Sequence, residues 1–151
     1  MPTHGLPEHW LVRAWRAFDQ WFFGPTSPSA PPTRGQEAEE LAARYLQAKG
    51  VQVLERNWRA HRGELDLVGR QGDCLVVVEV KSARADADFH AADRVGADKQ
   101  RQLLRLTEAY RKQRGWLDRP VRIDVVEVTF EEDGPPTIRH LEGAVHEAWQ
   151  R

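Results

Sequence analysis

Gly63-Glu64-Leu65-Asp66-Leu67-Val68, a turn at Gln71-Gly72-Asp73, and then Val76-Val77-Val78-Glu79-Val80-Lys81 decide how this chain is read. Two apolar runs of strand length flank a turn signal, the pattern of a β-hairpin. Twelve residues separate Asp66 from Glu79, so the hairpin brings an acid on one strand toward an acid on the next. Lys81 follows Glu79 by two positions, and side chains two apart leave a strand from the same face. By that alternation Asp66 shares a face with Glu64 and Val68, opposite Leu65 and Leu67, while Glu79 and Lys81 share one with Leu75 and Val77. A buried carboxylate is costly unless paired or metal-bound, and two close together repel. A hard divalent cation between Asp66 and Glu79 resolves both problems. The plainer alternative is a structural ion pair between Lys81 and one acid.

The bulk composition bounds this reading. A chain of 151 residues is one ordinary domain with room for an appendage. Cys74 is the single cysteine, so an internal disulfide is excluded and a reducing compartment is expected. No apolar run approaches the roughly 18–20 residues that span a bilayer. Arg13, Arg16 and Asp19 interrupt any secretory signal, which leaves the cytoplasm as the expected location. Lys+Arg of 22 against Asp+Glu of 23 looks neutral, but Arg94 to Arg122 holds nine basic and three acidic residues. Such a basic segment suits a polyanion, or is simply a solvated helix face.

Along the chain, residues 8–23 read as an amphipathic helix carrying Trp10, Trp15 and Trp21. The Pro- and Ser-rich stretch from Gly24 to Pro32 cannot continue it. Residues 1–33 are therefore expected to form an aromatic arm and linker, either a packed flap or a docking surface for a protein partner or membrane face. A main domain is expected over 34–143 and a tail over 144–151. Within the domain the pattern predicts a helix at 35–49 stopped by Gly50, strands at 51–58, 64–70 and 74–82, a helix at 91–114, and strands at 121–130 and 136–142. The order α-β-β-β-α-β-β makes an α/β fold, a mixed central sheet flanked by helices.

Other candidates surround the hairpin. Glu39 lies at the edge of the apolar face of the first helix, within reach of a metal directly or through water. Glu64 pairs with Arg59 or Arg62. Lys99 falls in the apolar stripe of the 91–114 helix, formed by Ala92, Val95, Leu103, Leu106 and Tyr110. There it either snorkels out or meets an acid or phosphate. Gln100 and Arg101 lie off the stripe, where they can face a nucleic-acid backbone. Arg56, Arg59 and Arg62 with Trp58 and His61 suit phosphate and an unstacked base, although Trp58 alone reads as core. The six histidines show no zinc spacing, and no Gly-rich phosphate loop occurs.

The set Gly35-Gln36-Glu37-Ala38-Glu39, Arg56-Asn57-Trp58-Arg59, Arg62 to Val68, Val78 to Lys81, Asp98-Lys99-Gln100-Arg101 and Arg122 to Val126, in this order, resembles the YraN family, small bacterial proteins with a restriction-endonuclease-like, PD-(D/E)XK fold. More distantly it is similar to archaeal Holliday-junction resolvases. The resemblance covers about residues 34–130. It implies Glu39 as the helix acid, Asp66 and Glu79 as metal ligands and Lys81 as the catalytic lysine. With the carbonyl of Val80 these would hold Mg²⁺ or Mn²⁺ for phosphodiester hydrolysis. Leu65 stands where the wider superfamily often has proline, and Ser82-Ala83 replaces the usual Thr-Arg. The stretch from Arg84 to Asp93 is poor in glycine. The implied partner is nucleic acid, DNA and branched by analogy with resolvases, bound by a homodimer. The alternatives are a non-catalytic nucleic-acid-binding module of the same fold and an adaptor docking through residues 8–23.

Overall fold

The computed structural model describes residues 31–85 and 95–145. The expected helix at 8–23 and most of the linker and tail lie outside these residues. Helix α1 spans Arg34–Ala48, strands β1 Gln52–Ala60, β2 Gly63–Gln71 and β3 Cys74–Arg84, helix α2 Ala97–Arg114, and strands β4 Val121–Phe130 and β5 Thr137–Val145. Among the described residues no helix is long and apolar enough to cross a membrane.

The strands form one sheet in the order β1-β2-β3-β4-β5. All neighbours are antiparallel except β3 and β4, which are parallel. A parallel pair needs a crossover, and α2 is part of it. Both sheet faces are covered. Leu103, Leu106 and Tyr110 of α2 pack with Leu65, Val68, Leu75, Val77, Ile123 and Val125. Ala38, Ala42, Ala43 and Leu46 of α1 pack with Leu67, Val76, Val78, Val126 and Val128. This two-sided burial is why β3 and β4 are nearly continuous runs of valine. Trp58 is core, edge-on to Tyr110 with ring centroids 5.2 Å apart.

Element ends differ from expectation for local reasons. Thr33, expected in the linker, caps α1: its hydroxyl accepts from the Gln36 amide, and the Gln36 side chain accepts from the Thr33 amide. Helix α2 begins at Ala97, so Val95 and Gly96 precede it, while 91–94 lie outside the described residues. Ala144 and Val145 belong to β5 rather than to a tail.

Two buried aspartates splice the sheet where its ladder is interrupted. Oδ2 of Asp66 accepts the Val80 amide at 2.7 Å, just where regular β2–β3 pairing stops at Leu67↔Val78. The expected alternation fails there: Leu65 joins the α2-side core and Leu67 the α1-side core, although strict pleating would put them together. Asp124 does the same for β4 and β5 at a register shift between Ile123 and Val125. Its Oδ1 accepts the Gly143 amide at 2.9 Å, Arg122 Nε lies 3.1 Å from both oxygens, and His140 Nε2 lies 2.9 Å from Oδ2. Because Asp124 can only accept, the imidazole donates through Nε2. His140 Nδ1 is buried without a hydrogen-bond partner.

Candidate active site

The site lies at the Asp66 splice. Where regular β2–β3 pairing stops, the Asp66 carboxylate accepts the amide of Val80, the residue after Glu79. Glu79, on the α2 face of β3, is 3% exposed. Lys81 Nζ lies 2.9 Å from Glu79 Oε1, and Lys99 Nζ, from the first turn of α2, lies 3.1 Å from Oε2. The ion pair expected from a purely structural role of Lys81 is therefore present, and a second lysine joins it. Glu79 Oε2 nonetheless makes no hydrogen bond, so its contact with Lys99 is Coulombic. Lys99 sits in the stripe as the periodicity predicts, and it meets an acid rather than snorkelling away.

Burial pushes the Asp66 carboxyl up to about 7, with the charge of Glu79 the next cause and that of Glu39 a smaller one, against the Val80 amide and Lys99, which lower it. The folded protein thus holds this proton more tightly than the unfolded chain, whose carboxyl titrates near 3.8. Stability from the protonated form is complete below that value and is lost as the pH rises toward 7. Asp66→Asn removes the penalty. In metal-free buffer it is expected to gain up to about 4 kcal/mol over the parent at pH 8, a gap that closes near pH 4. Thermal melts across that range check this, and equal melting temperatures at pH 8 would refute a strained carboxyl.

Carboxylate and carbonyl oxygens are the donors that hard cations take. Asp66, Glu79 and the Val80 carbonyl fit that chemistry, and the buried Glu79 Oε2 without a hydrogen bond supports the fit. Among the described residues no group of three His, Cys, Asp or Glu side chains gathers to hold a metal. A two-carboxylate site suits Mg²⁺ or Mn²⁺, which keep waters and accept substrate phosphate.

Glu39, half-buried on α1, accepts from Asn57 Nδ2 at 3.1 Å and reaches Asp66 only through its charge. Arg59 pairs with Glu64 at 3.0 Å. Arg62 is exposed at the β1–β2 turn. Gln100 turns inward, donating to the Val95 carbonyl at 2.6 Å, and Arg101 pairs with Asp98.

Sequence reasoning missed Glu127. It is 2% exposed, and the parallel register places it beside Lys81 on the same face. The Thr129 hydroxyl lies 3.4 Å from its Oε1. The signal was available, because Val125-Val126-Glu127-Val128 sets an acid in an apolar strand just as Val78-Glu79-Val80 does.

The mixed five-stranded sheet, with its one parallel pair and a helix on each face, puts this domain in the restriction-endonuclease-like class. The chain belongs to the family described as Uncharacterised protein family UPF0102, the YraN family, whose sequence model matches residues 38–128. A UPF0102 protein of Kineococcus radiotolerans is 44% identical over 110 residues, 72% of this chain and 90% of that protein. One from Anaeromyxobacter dehalogenans is 41% identical over 110 residues, 73% of this chain and 81% of that protein. Among solved structures, an EndoMS–dsDNA2 complex matches with a TM-score of 0.41 and 24% identity over 66% of this chain. A repair endonuclease from Pyrococcus abyssi matches with a TM-score of 0.39 and 16% identity over 72%. This chain spans 38% and 42% of the lengths of those two chains. At such scores the likeness adds nothing to the topology, which itself defines the fold.

Proposed function

We propose that this protein is a metal-dependent nuclease that hydrolyses phosphodiester bonds in nucleic acid. The observation that carries the reading is the meeting of Asp66, Glu79, Lys81 and Lys99 in one half-buried cluster. Two carboxylates at the end of a hairpin, flanked by two ammonium groups, suit a cation and a phosphate together. Asp66, Glu79 and the Val80 carbonyl would hold Mg²⁺ or Mn²⁺. When bound, the ion would acidify a water and offset charge on the phosphate. Lys81, about one-third exposed, is reachable by substrate and would stabilise charge gathering on phosphate oxygens. Lys99 would neutralise Glu79 and approach the same phosphate from α2. Glu39 acts at longer range, by its charge on Asp66.

The test is incubation of the full chain with branched, nicked and single-stranded DNA plus Mn²⁺, beside Asp66→Ala and Lys81→Ala. Cleavage by the parent alone supports the proposal. Binding without cleavage in all three proteins would make this a nucleic-acid-binding module. Absence of affinity at low salt would leave the adaptor role expected of residues 8–23.

A further inference from the structure

We infer that the pocket between the β1–β2 turn and α2 holds a backbone phosphate of the nucleic-acid strand, next to the phosphate that is cut. This deepens the proposed function and rests on it for the identity of the substrate. The pocket is a cavity of about 560 Å³ whose walls include Arg59, His61, Arg62, Gly63, Lys99 and Gln102.

Three observations converge on an anion. The first is charge. Arg59 is paired with Glu64, which also lines the pocket, and Lys99 is shared with Glu79, but Arg62 has no ion-pair partner among the described residues, so the lining carries three cations against one carboxylate. The second is backbone conformation. The two-residue turn between Ala60 and Gly63 places His61 at φ 48° and Arg62 at φ 62°. Such turns favour Asn-Gly, and each larger residue there costs free energy. The chain keeps an imidazole and a guanidinium at this position, both among the residues that line the pocket, where a relaxed turn would need neither. The third is the floor. A Cβ on Gly63 would come within 2.8 Å of Leu106 Cδ1 and 2.9 Å of Gln102 Nε2. The hairpin therefore packs closely on α2 here, and a larger residue at 63 would make the Leu106 and Gln102 side chains shift.

Lys99 links this pocket to the carboxylate cluster. It lines the pocket, yet its ammonium reaches Glu79 at 3.1 Å. A phosphate in the pocket and one at the cluster would lie on either side of one lysine, as consecutive phosphates of a strand do. Guanidinium suits such a phosphate because its planar fork donates two parallel hydrogen bonds.

The test is binding of a short fluorescein-labelled oligothymidylate to the full chain in EDTA, read by anisotropy over a salt series. Arg62→Gln is expected to weaken binding about fivefold and to lower the slope of log K against log salt by about 0.7. Lys99→Gln is expected to do the same. Arg70→Gln, at the far end of β2 where Arg70 bonds Gln52, leaves affinity and slope unchanged. Parental affinity and slope in Arg62→Gln would overturn the pocket, as would an Arg70→Gln effect of equal size or no binding by the parent. Because EDTA removes any cation, cleavage is judged separately. Cleavage with an unchanged Arg62→Gln slope removes the pocket and leaves the nuclease. A lowered slope without cleavage keeps the pocket and removes the nuclease.

Discussion

Under the proposed nuclease function, Lys81→Met is expected to slow Mn²⁺-dependent cleavage by about 10²–10³-fold while leaving the fold intact, the loss typical of removing one preorganised donor to a transition-state oxyanion. The side chain ends on a strand that α2 and β4 hold in place, and its ammonium is already fixed 2.9 Å from Glu79. Methionine preserves most of the stem and deletes the ammonium, with its charge and its donors. Asp66→Ala is expected to cost at least as much, because it removes both a carboxylate of the cluster and the acceptor of the Val80 amide. Single-turnover rates on a labelled substrate, with melting temperatures recorded alongside, decide the matter. Rates within a factor of about three of the parent in both variants would show that any cleavage comes from elsewhere.

The second large effect concerns stability. Asp124→Ala is expected to destabilise the fold by about 3–5 kcal/mol, because it breaks a buried charge network and leaves the buried His140 imidazole without its acceptor. Asp124 is fully buried, and its loss leaves the Arg122 guanidinium, the His140 Nε2 donor and the Gly143 amide without their common acceptor. His140 already carries one unpartnered ring nitrogen, so it has no spare partner to turn to. For a domain of this size the melting temperature is expected to fall by roughly 10 °C or more. Asp124→Asn keeps an oxygen for the Gly143 amide and is expected to cost less. A melting temperature within about 2 °C of the parent for Asp124→Ala would show that the network contributes little.

The contrast between Asp66 and Asp124 explains how one residue type serves two ends. Both take a backbone amide where a ladder breaks. Asp124 is met by a guanidinium and an imidazole, so its charge is compensated locally. Asp66 is buried, feels the charge of Glu79 and more weakly of Glu39, and is compensated by the Val80 amide and the charge of Lys99, so it resists ionisation. A strained acid beside a reachable lysine is the arrangement expected of a site that binds something, and a satisfied acid under an edge strand is the arrangement expected of a staple.

Much of this was legible in the residues. The hairpin, the valine-rich strands, the amphipathic helices and the pairing of Glu79 with Lys81 follow from periods of 2 and 3.6, which local sterics impose regardless of the rest of the chain. Lys99 could be placed in its stripe for the same reason. The acid it meets lies on another strand, and periodicity carries no information about that. The pleating rule erred at Asp66 because a side chain, not a backbone carbonyl, claimed the Val80 amide, and only pairing across strands reveals which acceptor wins. Glu127 and Asp124 acquire their meaning from parallel and antiparallel register, a relation between segments far apart in the chain. Local propensity fixes the elements. Which charged groups share a low-dielectric site is set by packing, because Coulomb energies depend on distances that only the folded sheet defines.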